Sequence, residues 1–194
     1  MSALRERQPC RGMQLGAGLF LTGLTTDEAS DDTLPARLRE AIADDDRVLG
    51  ATAPGGSFSA MPKYTDYGAG QDPELLMLTG WTVLLTGTLL ECSPRALAAL
   101  LGPADITVNG AVTSVRARAA LRQGDAVPDL CWVGPTTGGL VVIALRNALS
   151  CDGVTFTFGE DSGTAPFRFR ACGAGEDGAP FRLIFVKEDD DAAD

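Results

Sequence analysis

Apolar and polar residues alternate along much of the chain. From Gly80 to Cys92 the sequence GWTVLLTGTLLEC sets Trp81, Val83, Leu85 and Leu89 on one side and Thr82, Thr86 and Thr88 on the other. This period of two predicts a strand, about twice as long as the usual 5–6 residues. Such a strand either crosses a large sheet or joins one shared with neighbouring molecules. A short helix follows, with sharp limits. Ser93 suits the N-cap, Pro94 the first helical position, and Gly102 with Pro103 the stop. Leu97, Leu100 and Leu101 share one face. Burying each stabilises by roughly 1.5–3 kcal/mol. So short a helix is not stable alone in water, so its apolar face is expected to dock on a sheet.

Upstream, Leu15–Gly23 predicts a first short strand. Thr33 can cap a helix with Leu34, Leu38 and Ile42 on one stripe. Val48–Thr52 and Ser57–Tyr67 predict two strands separated by the turn Pro54-Gly55-Gly56. Pro62 marks the second as an edge strand or a bulged one. Residues 106–127 are ambiguous: Val108-Asn109-Gly110-Ala111 fits a hairpin turn, while Ser114–Leu121 fits helix or strand. The pattern then sharpens. Leu130–Gly134 and the nearly all-apolar Leu140–Asn147 read as strands, the latter buried on both faces. Alternation continues through Val154–Phe158, Phe167–Arg170 and Phe181–Phe185. Successive strands with short turns predict an antiparallel meander.

The bulk numbers frame this pattern. At 194 residues and 45% hydrophobic content the chain can bury a core, and one domain, 15–187, is expected between a polar arm, 1–14, and an acidic tail, 188–194. No run of eighteen apolar residues marks a membrane span, and MSALRERQPCRGMQ lacks a signal peptide's apolar stretch. The five cysteines are widely spaced with no C-x-x-C pair, which speaks against a zinc site or a disulfide framework. The net charge of -10 is concentrated: Asp27–Asp46 holds eight carboxylates, and EDDDAAD ends the chain. Such a balance disfavours binding duplex DNA by phosphate neutralisation.

Catalytic groups are scarce. The chain has no histidine, the usual base for a Ser, Thr or Cys nucleophile. Its carboxylates fall mainly in expected loops and termini. Gly173-Ala174-Gly175-Glu176-Asp177-Gly178 fits the letters G-x-G-x-x-G, but strands are expected on both sides and no helix N-terminus is available for a phosphate. The expectation is therefore no enzyme, no cofactor and no metal. Arg116, Arg118 and Arg122 form the main basic cluster. They read either as a solvated face or as partners for the acidic segments of a neighbouring copy.

Taken in order, several segments resemble the major tail tube proteins of long, non-contractile-tailed bacteriophages. They are GAGLFLTG, RVLGATAPGGSFSAMPKYTDYG, LTGWTVLLTGTLLECSPRALAALLG, WVGPTTGGLVVIALRNALSCDGVTFTF and RFRACGAGEDGAPFRLIF. The resemblance implies a mainly β fold, an antiparallel β-sandwich or barrel with one flanking α-helix. It implies copies closing into hexameric rings that stack into a tube. The partners would be the chain itself and other tail proteins at the tube ends. The place would be the virion tail, assembled in the host bacterial cytoplasm. DNA would pass through without specific binding, and no membrane would be involved.

On that reading the loop 63–73 makes ring-to-ring contact, with Lys63, Tyr64, Asp66, Tyr67, Gln71 and Asp72 as candidates. Thr82, Thr86 and Thr88 are candidates for a polar, uncharged face toward the bore. The competing reading is a monomeric β-sandwich that binds a ligand or peptide in its loops, with Trp81 and Trp132 near the site.

Overall fold

The computed structural model describes residues 16–26, 28–66, 76–91, 93–136, 139–156, 164–173 and 178–187. Ten strands and two α-helices are present among them. The strands are β1 (Gly18–Leu21), β2 (Val48–Thr52), β3 (Ser57–Asp66), β4 (Leu76–Leu89), β5 (Ala104–Asn109), β6 (Val112–Ala117), β7 (Val127–Thr136), β8 (Gly139–Ser150), β9 (Ala165–Ala171) and β10 (Phe181–Lys187). The helices are α1 (Leu34–Ala43) and α2 (Pro94–Leu101). The mainly β, antiparallel class is the one expected, with a second helix beside the one assigned a flanking role.

The main sheet closes on itself. β8 pairs with β7, β7 with β1, β1 with β2, β2 with β4, β4 with β9 and β9 with β8, all antiparallel. β2 and β3 lie in line along one edge of β4, since Thr52 pairs with Leu89 and Ser57 with Thr86. The turn Pro54–Gly56 bulges between them. β9 takes the other edge of β4, but only from Leu84 to Leu89. Similarly, β10 and β9 share one edge of β8: Lys187 pairs with Gly139 and Phe181 with Leu145, then Ala171 with Ala148. β5 and β6 form a separate two-stranded ribbon.

Alternate residues of the closing strands fill the interior. Phe20, Leu49, Val83, Leu85, Leu130, Trp132, Ile143, Phe167 and Phe169 are all buried there. Phe20 meets Phe167 edge-on at 4.7 Å between ring centroids, a favoured aromatic geometry. The indole of Trp132 donates to Thr52 Oγ1 at 3.0 Å. The same hydroxyl accepts from Gly18 N at 3.1 Å and donates to Gly18 O at 3.2 Å. Gly134 lies against the Trp132 ring, where a Cβ would collide, so this strand position excludes any side chain. Asp129 is the one non-glycine residue of positive φ among the described residues, at 44°. The inward alternation of Leu130 and Trp132 shifts there, so that Val127 also packs on the core.

The two helices cover different surfaces. α1 lies outside the barrel, where Leu34, Leu38 and Ala41 pack with Leu21, Cys131, Val133, Val142 and Ala144. Ala41 replaces Ile42, which is 37% exposed, on the expected stripe. At about 100° per residue, position i+7 returns within about 20° of Leu34 while i+8 lies about 80° away. Thr33 is the N-cap by position but makes no side-chain capping bond. In α2, by contrast, Ser93 Oγ accepts from Ala96 N at 3.1 Å, and Gly102 ends the helix at φ 75°. Ala96 and Leu100 are its buried centre, with Leu97 and Leu101 half-buried beside them. The small Ala96 lets the helix approach the core closely.

Two other expectations change. Residues 151–156 form no strand, although Val154 packs on the core; Phe158 lies outside the described residues. The simple meander is broken because β10 returns to β8 and not to β9. Residues 112–117 resolve as strand β6, and Asn109 pairs with Val112 across Gly110-Ala111. Gly110 at φ 58° and Ala111 at negative φ fit a type II′ hairpin turn.

Thr52→Val removes the hydroxyl that Trp132 and Gly18 share. It is expected to lower the unfolding free energy by about 1–3 kcal/mol, with Thr52→Ser recovering most of the loss. Urea denaturation followed by tryptophan fluorescence measures both.

Candidate functional site

The long strand foreseen at Gly80 begins four residues earlier, at Leu76, and spans 14 residues. That is about 46 Å of extended chain. Its first half leaves the barrel. From Leu76 to Val83 it pairs only with β3 among the described residues, because β9 begins to pair at Leu84. The register slips between Lys63, opposite Gly80, and Tyr64, opposite Leu78. Thr79 is the extra residue, and its hydroxyl donates to Lys63 O at 3.1 Å. The bulge fits the warning given by Pro62.

This distal ribbon is exposed throughout 61–65 and 76–79. Yet Met61, Tyr64, Leu76, Met77 and Leu78 are 47–58% exposed, too many apolar side chains for an indifferent solvent face. A two-stranded ribbon is marginal in water without a third layer, and among the described residues its outer edges have no strand partner. Of the contact candidates, Lys63 and Tyr64 are exposed on it. Asp66 lies in β3 opposite Leu76. Tyr67, Gln71 and Asp72 lie outside the described residues. Sequence reasoning missed Leu76, Met77 and Leu78, although the apolar run before Thr79-Gly80 was the available signal.

Thr82, Thr86 and Thr88 share the outer face of β4, and Ser57 Oγ lies 2.7 Å from Thr86 Oγ1. That face is not uncharged. Arg168 stands opposite Thr86 and Arg170 opposite Leu84 on β9, and both arginines are exposed. Only the strand register reveals this neighbourhood.

The basic cluster divides. Arg118 is largely buried, its side chain 11% exposed, and pairs with Asp125 and with Asp105 at 3.0 Å. Arg122 reaches Asp105 at 3.6 Å, and its backbone N–H donates to Asp125 Oδ2 at 2.5 Å. Arg116 sits opposite Asp105 on β6, exposed. Arg118 is thus committed within its own chain, where it ties the β5–β6 ribbon to residues 123–125, while Arg116 and Arg122 are exposed.

A second clasp holds the acidic segment before α1. The carbonyl of Thr26 accepts from Arg146 at 3.3 Å and from Arg182 at 2.8 Å, and Arg182 grips Asp31 through both carboxylate oxygens at 2.9 and 2.7 Å. Such forked pairs hold geometry as well as charge.

Other chemistry is sparse. Burial pushes the Cys131 thiol up to about 12, which makes it an inert core group; Cys151 and Cys172 are exposed. Cys10 and Cys92 lie outside the described residues. The glycine-rich stretch 173–178 joins β9 to β10, with 174–177 outside the described residues. Trp132 is core, and Trp81 packs edge-on against Phe181 at 5.5 Å. An open cavity of about 370 Å³ lies between α2, Ile106 and Val127. Another, of about 510 Å³, is a notch beside Trp81, Arg170 and Pro180. Among the described residues no group of three or more Cys, Asp or Glu converges to hold a metal ion.

The sequence matches no protein-family model and is not detectably similar to any curated protein.

Asp125 is held below the usual carboxylate range, first by the Arg122 backbone N–H and then by Arg118, against a desolvation cost. A depressed folded-state pKa contributes stability above the unfolded value, about 3.9, and loses it as pH falls through the folded value. Asp125→Asn is therefore expected to lower the melting midpoint at pH 7, with the gap to wild type closing as pH drops below about 3.9. Thermal melts across that range test the sign.

Proposed function

We propose that the chain is a self-assembling structural subunit of the tail-tube kind, a building block of stacked rings around a conduit for DNA. The observation that carries this reading is the distal β3–β4 ribbon. Among the described residues its outer edges have no strand partner, and Met61, Tyr64, Leu76, Met77 and Leu78 are exposed. A neighbouring copy would supply the missing strand partner and the missing apolar cover, and would remove the aggregation hazard of a bare edge. The closed barrel supports the reading as a rigid body on which the ribbon is mounted. The segment order that resembles tail tube proteins supplies the hexameric ring and the conduit.

Electron microscopy of negatively stained, purified protein tests it, alongside native mass. Rings and tubes are expected. A 20.2 kDa particle persisting in concentrated solution would overturn the reading. Leu76→Asp with Leu78→Asp is expected to leave a folded monomer, since both side chains are already exposed. Deleting Gly68–Gln71 is expected to prevent stacking, as the loop 63–73 is proposed to make ring-to-ring contact.

Charge decides what the conduit does. A wall that neutralised phosphates would hold the genome through counterion release, whereas a subunit of net charge -10 repels it. Assembled protein is expected to retain no duplex DNA at physiological salt in a co-sedimentation assay. Retention abolished by Arg168→Ala with Arg170→Ala would instead make the threonine face a phosphate-binding surface.

A further inference from the structure

We infer that the outer face of β3, β4 and β9 is a weak, sequence-independent contact surface for the phosphodiester backbone of duplex DNA, with Arg168, Arg170 and Lys63 as its cations. Register places the three on one face. Arg168 stands opposite Thr86 and Arg170 opposite Leu84 on β4, while Lys63 stands opposite Gly80 from the β3 side. Alternate positions share a side of a sheet, so the hydroxyls of Ser57, Thr82 and Thr86 lie among these cations. Guanidinium, ammonium and hydroxyl groups are the side-chain partners that phosphate oxygens take. The ion pair of Arg168 with Asp152, at 3.3 Å, is about half exposed on both sides, so it contributes little and is readily exchanged. Neither Arg170 nor Lys63 has an ion pair among the described residues. Residues 57–65, 76–90 and 164–173 include no aspartate or glutamate.

The net charge of -10 is an average over the chain, whereas a ligand meets the local potential. Asp31, Asp32, Glu40, Asp44, Asp45 and Asp46 lie in and around α1, which packs on β1, β7 and β8. In the closed order β8-β7-β1-β2-β4-β9, β7 lies across the barrel from β4, and β1 across from β9. Packed sheet walls stand about 10 Å apart, a full screening length at about 0.1 M salt. That acid therefore sits on one side of the barrel and the three cations on the other. Geometry then selects the ligand. Six residues of β4 separate Gly80 from Thr86, about 20 Å of strand. Cations spread that far over an open sheet do not converge on one small anion, but a long polyanion meets them all. Phe58, Trp81, Phe167 and Phe169 of the same strands pack on the core and offer bases no stacking platform. Contact falls on the backbone instead, where a duplex presents one charge per about 1.7 Å of its axis. Two or three phosphates neutralised give a slope of log affinity against log salt of about -2 to -3. That steepness removes the contact at physiological salt, which accords with a conduit that does not retain its DNA.

Fluorescence anisotropy of a short labelled duplex, titrated with the full chain between about 0.01 and 0.15 M salt, where the screening length falls from about 30 to 8 Å, tests the inference. Binding is expected at the lower end and is expected to vanish at the upper. Arg168→Ala with Arg170→Ala is expected to make the salt slope shallower by about 2, and Lys63→Ala by about 1. Arg39→Glu and Arg170→Glu change the net charge equally, at exposed positions on α1 and on this face respectively. Arg39→Glu is expected to bind as the wild type does, and Arg170→Glu to bind about tenfold or more weakly. No binding at the lowest salt, or an equal loss in the two charge-matched variants, would overturn the inference. So would a preference, at equal salt, for vesicles rich in anionic phospholipid over the duplex, which would make the face a membrane surface. Should Arg170→Glu fail to fold, the alanine variants decide through the slope. The three cations belong to one copy, so the assay reads monomers and rings alike. Its failure would leave the assembly reading standing, whereas a persistent monomer that binds in this salt-sensitive way would remove the assembly reading alone.

Discussion

Every peptide unit of an extended strand offers hydrogen-bonding groups to either side, and β4 has more of them than its own barrel can use. The C-terminal half of the strand is held between β2–β3 and β9. Among the described residues its N-terminal half departs from that embrace with β3 as its partner. The rest of the architecture follows from this mismatch. β9 does not follow β4 outward: its pairing with β4 ends at Arg170, while Phe169–Ala171 pair with β8 and Cys172 N continues that ladder by donating to Asn147 O at 2.6 Å. β10 then occupies the part of the β8 edge that β9 leaves open. The barrel is thereby closed at the expense of a ribbon that is not.

The barrel and the ribbon differ in how firmly they are held. The interior is apolar and tightly packed, with Trp132 and Thr52 locked by a hydroxyl that serves three hydrogen bonds. Two arginine clasps fasten the peripheral pieces: Arg118 the β5–β6 ribbon, and Arg146 with Arg182 the acidic segment before α1. Among the described residues, the distal β3–β4 ribbon carries exposed Met61, Leu76, Met77 and Leu78 and takes part in neither clasp. Charge is one way to blunt such an edge, and among the described residues Lys63 is an exposed charged side chain on the ribbon.

Much of the fold was legible because alternation and turn chemistry are local. Ser93-Pro94 and Gly102 delimited α2, Gly110-Ala111 made the hairpin, and the unbroken apolar run of β8 signalled burial on both faces. What failed depended on distant partners. Val154–Phe158 alternates as a strand would, yet residues 151–156 pair with no strand among the described residues. Leu97 and Leu101 look like the buried face of α2 until the barrel core, reached through Ala96, selects another. The site was less legible for the same reason. Phe167 and Phe169 identify β9, but nothing in the residues between them says that Arg168 will face Thr86. Nor does the sequence reveal that Arg118 is occupied by Asp105 and Asp125, which lie in separate elements.

Packing inside the barrel has one more consequence. Phe20, Trp132, Phe167 and Phe169 occupy the space that a wider ring of strands would leave hollow. The axis of a single barrel is thus filled by side chains. Any channel built from this protein must be bounded by several molecules, and its diameter is then set by how many of them close the circle.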